Sequence, residues 1–180
     1  MIRELNTNGR LITQELLDGL KRAGCRAAIK ISFDGVGHHD WLRNRKGAEE
    51  DALRAIRLCI ENEFRVKAQT NVHRLNVDTM LPTAKLLSDM GVGTMRIIRT
   101  TEAPRWLQNA GDAGLTLEEY FDVMLDFLKA YAQTDCKMDI DVWNFAQLLP
   151  HSKTYRPRTL QCDEGEYRDS IPVCRGNRGM

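Results

Sequence analysis

The sequence predicts an α/β fold, a partial (β/α) barrel or small doubly wound sheet of about four parallel strands with helices packed outside. Two observations carry this. Helical stretches with apolar residues three and four apart alternate with short β-branched runs through the first 100 residues. Strands separated by helices of three to four turns join in parallel through crossovers. Only four such strands are visible, near 1–6, 27–33, 64–72 and 94–99, too few for a closed eight-fold barrel.

The elements follow in order. Thr13 is placed to cap a helix with Leu16, Leu17 and Leu20 on its apolar face, and Gly24 suits its carboxyl end. The run Ala27-Ala28-Ile29-Lys30-Ile31-Ser32-Phe33 reads as a buried strand. A helix from Ala48 to Asn62 places Ala52, Leu53, Ile56 and Ile60 on one face. Phe64–Val72 reads as a strand. A further helix runs from Val77 to Met90, with Pro82 in its first turns and Gly91 after its end. Thr94–Ile98 is strand-like.

Beyond residue 100 the texture changes. Thr101–Gly114 reads as a loop. Thr116 is placed to cap a helix from Leu117 to Ala132 with Phe121, Met124, Leu125 and Leu128 inward, and Met138–Trp143 alternates as a half-buried strand does. From Pro150 the chain is polar, basic and irregular. Three regions result: a partial barrel over 1–100, an appended loop, helix and strand over 101–150 completing the barrel side, and an irregular tail over 151–180.

Composition bounds the partners. Apolar residues make up 42% of the 180 residues, charged residues 28%, and the formal net charge is +1. That balance gives no strong attraction to nucleic acid or to an anionic membrane surface. No apolar run approaches the roughly 20 residues that span a bilayer, and no signal-peptide core follows Met1, so a cytoplasmic protein is expected. The five cysteines (Cys25, Cys59, Cys136, Cys162, Cys174) form no CxxC pair. Free thiols are expected of them, with Cys25 and Cys59 buried as packing residues.

Three polar patterns sit where parallel strands end, which is where such folds bind ligands. Asn6-Thr7-Asn8-Gly9 reads first as a turn with glycine at positive φ. In the second, Ser32 and Asp34 offer a hydroxyl and a carboxylate suited to a nucleoside-like ligand, and Arg43 can grip a carboxylate with two parallel hydrogen bonds. The plain alternative is a turn at Asp34-Gly35 and a solvated charge at Arg43. His38 and His39 are not expected to bind metal, because adjacent side chains point apart and no third ligand stands near. In the third, Thr70 and Asn71 end a strand, and Asn76 is placed to cap the next helix.

Taken in order, TNG-x-LI, ISFDG…HHDWLR…GAEEDALRAI, QTNVHRLN and GVGTMRIIR resemble the later part of the radical S-adenosylmethionine (SAM) barrel. The branch resembled is the SPASM or twitch type, with a carboxyl-terminal cluster-binding extension. The resemblance covers residues 1–100 well and the tail loosely. It implies an iron–sulfur oxidoreductase in which a CxxxCxxC loop holds a [4Fe–4S] cluster and SAM yields a 5′-deoxyadenosyl radical that takes a hydrogen atom from the substrate, possible substrates including peptides.

Residue by residue, the resemblance places Ser32, Asp34, Thr70 and Asn71 near the ribose and methionine, Arg43 at the SAM carboxylate (after a loop one residue short), and Ile97 and Ile98 beside the adenine. Sheet core is a compatible reading of the two isoleucines. Arg99 would face the substrate cavity. Cys174 in CRGNRGM, and Cys162 as a second candidate, look like openings of the extension and its metal ligands. The CxxxCxxC and the GGEP strand end would precede Met1, so the chain alone is not expected to hold the cluster or perform the reaction. A non-catalytic binding module derived from the same barrel is the alternative. Exposed strand edges of a partial barrel would invite a homodimer.

Overall fold

The computed structural model describes residues 2–100, 111–143, 145–149 and 154–157. Seven strands form one sheet in chain order. Five are mutually parallel: β1 (Glu4–Thr7), β2 (Ala28–Ser32), β3 (Val66–Val72), β4 (Thr94–Arg99) and β5 (Asp139–Val142). Two more, β6 (Ala146–Leu149) and β7 (Thr154–Pro157), extend it antiparallel. The helices are α1 (Gln14–Arg22), α2 (His39–Leu42), α3 (Ala48–Glu61), α4 (Met80–Asp89, entered through a 3-10 turn at Val77–Thr79) and α5 (Leu117–Ala132).

The α/β prediction is borne out. A doubly wound sheet needs a reversal of strand order and helices on both faces. Here order is strictly sequential, and one core joins Ile29, Ile31, Ala68, Met95, Ile97 and Ile140 of the strands to Leu17, Ile56, Leu87 and Met124 of the helices. This is barrel-type winding. The in-register set Ser32, Gln69, Arg96 and Asp141 belongs to the other, polar face, which no described helix covers.

Local signals explain the element ends. Thr13 Oγ1 accepts the Leu16 N–H at 3.2 Å. Thr116 and Glu119 form a reciprocal capping box on α5. Gly9, after β1, has φ 83°, and a Cβ there would sit 3.0 Å from Ala55 Cβ of α3, so the turn needs glycine for both conformation and space.

Several expectations are corrected. The parallel strands number five, because Met138–Trp143, read as an appended strand, pairs with β4 once α5 has served as a crossover. The tail expected to be irregular contains β7, an edge strand held by backbone pairing with no apolar alternation to announce it. Leu16 and Leu125, expected inward, are exposed, since Leu17 and Met124 take the core-facing positions one helical step away. Cys59 is buried and Cys25 only half-buried. No helix among the described residues is long and apolar enough to cross a membrane.

Candidate functional site

The carboxyl ends of β2 and β3 meet the loop that contains α2. Asp34 lies at their junction with no solvent exposure. Its Oδ1 accepts both the backbone N–H and the side-chain Nδ2 of Asn71 at 3.0 Å. Its Oδ2 lies 2.9 Å from Nδ1 of His39 and 2.7 Å from Nη2 of Arg43. Burial raises the Asp34 pKa, but the His39 hydrogen bond, the Arg43 charge and the Asn71 N–H outweigh it, and the carboxyl titrates below its ordinary value. His39 Nδ1 also lies 3.0 Å from the Asp34 N–H. One ring nitrogen cannot donate to the first and accept from the second, so Nδ1 is assigned the hydrogen and donates it in a hydrogen bond to the ionised carboxylate.

Around this centre the loop is pinned. Gly35 has φ 116°, and a Cβ there would approach Thr79 Oγ1 to 3.1 Å. The Val36 N–H donates to Thr83 Oγ1 at 3.1 Å. Asp40 accepts the N–H groups of Gly47 and Glu49 at 2.7 Å, tying the loop to the start of α3. Asn76 corrects its expected role. It stands at the cap position, yet its side chain makes no cap hydrogen bond. Its Nδ2 donates to the carbonyls of Asp34 (2.6 Å) and Asn71 (2.9 Å), and its Oδ1 accepts the His73 N–H at 2.9 Å. One buried carboxamide thus ties the ends of two strands together.

The sequence-predicted residues divide. Ser32, Asn71 and Ile98 belong to the polar face, each half-buried, on three adjacent strands. The Ser32 hydroxyl makes no hydrogen bond among the described residues. Thr70 and Ile97 point into the helix-covered core. The Thr70 hydroxyl donates to the Phe33 carbonyl at 2.7 Å, so it links β3 to the end of β2. Asp34 and Arg43 are brought together, with every Asp34 oxygen occupied by protein donors.

Arg43 differs from its partner. Its side chain is 31% exposed. Its Nε and Nη2 are buried and make no hydrogen bond, the 2.7 Å approach to Asp34 being an ion contact with the N–H directed off line. Arg99, expected at the cavity, donates Nη1 to the Leu115 carbonyl at 2.8 Å. Cys162 and Cys174 lie outside the described residues. Among the described residues no group of three or more His, Cys, Asp or Glu could hold a metal.

Other features were not legible as site residues. His39 was read only against metal binding. Its five-residue spacing from Asp34 in a glycine-bearing loop is the one local signal of their pairing. On β4 and β5, Arg96 Nε donates to Asp141 Oδ2 at 2.8 Å, and the guanidinium lies 4.9 Å from the Trp143 ring. Polar residues at alternate strand positions were the available sign. A cavity of about 500 Å³ lined by Lys21, Ala27, Asn62 and Phe64 opens at the amino-terminal ends of β2 and β3, opposite the strand ends that carry Asp34. Parallel α/β sheets bind ligands at carboxyl ends, so the Asp34 end is the better candidate.

The comparisons with known proteins bear out the resemblance to radical SAM enzymes. No protein-family model matches the chain. It is 32% identical over 89 residues to the AdoMet-dependent heme synthase of Methanosarcina barkeri, covering 48% of this chain and 25% of that one. It is 34% identical over 74 residues to the Fe-coproporphyrin III synthase of the same organism, covering 41% and 18%. The AdoMet-dependent heme synthase of Oleidesulfovibrio alaskensis is 27% identical over 177 residues, 98% of this chain and 42% of that one. The chain therefore spans from about a fifth to two fifths of these relatives.

In fold it is similar to a radical SAM methyltransferase from Sphaerobacter thermophilus (TM-score 0.50, 16% identity, 77% of this chain, 40% of that one). It is also similar to anSMEcpe with bound AdoMet and Kp18Cys peptide (TM-score 0.57, 12%, 73% and 37%). The third is Streptococcus suis SuiB bound to S-adenosylmethionine (TM-score 0.60, 9%, 79% and 33%).

Proposed function

We propose that this chain supplies the SAM-binding rim and one wall of the substrate cavity of a radical SAM oxidoreductase. The observation that carries the reading is Arg43. Held at 2.7 Å from Asp34 through Nη2 yet 31% exposed, its guanidinium stands at the carboxyl end of a parallel sheet and suits a carboxylate such as that of SAM. The unengaged Ser32 hydroxyl is two residues from Asp34 on the same strand end and suits a ribose hydroxyl. Ile98 offers an apolar side chain for the adenine, and Ile97, whose carbonyl accepts the Trp143 N–H at 2.8 Å, holds that strand in place. Asn71 borders the same pocket. Asp34 acts through Arg43 and Asn71 as a positioning residue, and Thr70 fixes the strand ends.

Bound SAM would supply a 5′-deoxyadenosyl radical in the intact enzyme. The described residues do not fit a [4Fe–4S] cluster, so reaction by this chain alone is not part of the proposal. Cys174 and Cys162 remain proposed cluster ligands for an intact protein. As to substrate, the sequence relatives carry more weight than neighbours of 9–16% identity, and they favour a porphyrin. The peptide bound to anSMEcpe supports the expected peptide substrate as a second reading. A homodimer through the outer edge of β1, which pairs on one side with β2, belongs to the same proposal and is read by sedimentation.

Calorimetric titration with SAM tests the site. Arg43→Ala and Ser32→Ala should each weaken binding, Arg43→Ala by about tenfold or more. Affinity unchanged in both variants would remove the assignment. Because a cluster contributes contacts of its own, the parent affinity is expected to be modest, and the titration needs millimolar SAM.

A further inference from the structure

The polar face of β4 and β5 holds a second arrangement that the SAM rim does not use. Arg96 projects from the middle of β4. On one side its Nε is fixed by Asp141, whose side chain is 6% exposed. On another its guanidinium lies 4.9 Å from the ring of Trp143, itself 42% exposed. A long side chain that would otherwise sample many rotamers is thus oriented by an ion pair and an aromatic face. Its two terminal nitrogens make no hydrogen bond among the described residues, and the side chain is 24% exposed. The result is a planar fork of N–H donors, aimed by its own protein and without an acceptor among the described residues. This matches the geometry of a carboxylate.

Its position is informative. Ser32, Gln69, Arg96 and Asp141 are in register across β2 to β5. Neighbouring strands lie about 4.8 Å apart, so the Arg96 and Ser32 backbones are about 10 Å apart, two strands away on the same face. Ile98, one step further along β4, and the exposed ring of Trp143 put apolar surface beside the fork. A ligand held there would join an acid group to an apolar frame.

We infer that Arg96, oriented by Asp141 and Trp143, binds a carboxylate of a small organic substrate with an apolar frame, held on the open face beside the SAM rim. The inference rests on the proposal that this face is the substrate wall, and it adds the recognising residue and the chemical group recognised.

Coproporphyrin III, with four carboxylates on an apolar ring, is the probe, and its tetramethyl ester is the matched control without charge. Absorbance titration of the full chain should show binding of the acid and about tenfold or more weaker binding of the ester. Arg96→Gln should weaken the acid by about tenfold and leave the ester unchanged. Circular dichroism of the same sample establishes that the variant is folded. Equal affinity of wild type and Arg96→Gln for the acid, equal affinity of wild type for acid and ester, or no binding of the acid would each overturn the assignment. Tighter, Arg96-dependent binding of an acidic peptide would overturn the choice of a small molecule. SAM affinity measured in parallel should not change in Arg96→Gln. If the SAM-rim variants bind SAM like the parent while Arg96 still discriminates acid from ester, only the SAM assignment falls. The converse result removes only this inference.

Discussion

Two polar clusters occupy one sheet and are built in opposite ways. At the ends of β2 and β3, Asp34 sits at zero exposure with hydrogen bonds from His39 and Asn71 and the Arg43 charge beside it, and Asn76 ties the carbonyls behind it. On β4 and β5, Arg96 is held at one nitrogen and keeps its fork open. The first cluster closes around its carboxylate and gives shape, leaving only the exposed side of Arg43 for a ligand. The second is half-closed and leaves recognition to what arrives. A polar residue at a strand end is therefore not by itself a ligand contact. What decides is how many of its hydrogen-bonding positions the protein has already filled.

The strongest way to break this contrast is to remove the centre of the closed cluster. Asp34→Ala leaves the Arg43 charge, the His39 Nδ1–H and two Asn71 donors without their acceptor. Removing one partner from a buried ionic network costs about 3–5 kcal/mol. Urea unfolding at pH 7 should show a loss of that size. A loss below about 1 kcal/mol would mean that Asp34 is replaceable by water and that the cluster is open after all.

A smaller effect comes from the edge of the same cluster. His73 is buried, 5.1 Å from the Trp41 ring, and burial pushes its pKa down to about 4, with the Asp34 charge opposing that shift and His38 adding to it. The folded state therefore binds this proton only near pH 4, whereas the unfolded chain binds it near pH 6.5. Between those values the unfolded state holds more protons, so stability falls as pH falls. Discounted for screening, the loss from this residue is about 2 kcal/mol between pH 7 and pH 4. Asp34 adds its own loss below its unfolded value, near 3.8, because its folded pKa is depressed. Thermal unfolding followed across this range should show the first slope, and His73→Gln should flatten it between pH 6.5 and 4 while the Asp34 part remains.

Much of the fold was legible because periodicity and caps agree along the chain. Thr13, Thr116 and Gly91 stand where the helices begin and end, and Ile29, Ile31, Val66 and Ala68 mark the covered face by alternation. β7 was not legible, since an edge strand needs only backbone pairing. For the site, order and spacing found the right strand ends but not which side chains are spent. Thr70 and Asn71 are neighbours in sequence and face opposite sides of the sheet, and Asn76 satisfies two strands instead of its own helix. Arg96 and Asp141 are 45 residues apart, and only the β4–β5 register makes them partners.

The smallest expected effect is the one that sharpens the contrast. Arg96→Gln breaks a single ion pair whose arginine is 24% exposed, so water already shares its solvation, and glutamine restores a neutral donor to Asp141. The cost to folding should be about 1 kcal/mol, well below that of Asp34→Ala, measured by the same urea unfolding. If the two substitutions cost the same, Arg96 is a structural arginine and the open cluster is as much a part of the scaffold as the closed one. If Arg96→Gln is cheap for folding but costly for the acid ligand, the stability of the sheet and its recognition chemistry reside in different strands. Removing Asp141 separates the roles further. Asp141→Asn keeps an acceptor for Arg96 Nε but weakens its grip, so it should lower ligand affinity by less than Arg96→Gln does, through loss of orientation and not of the fork.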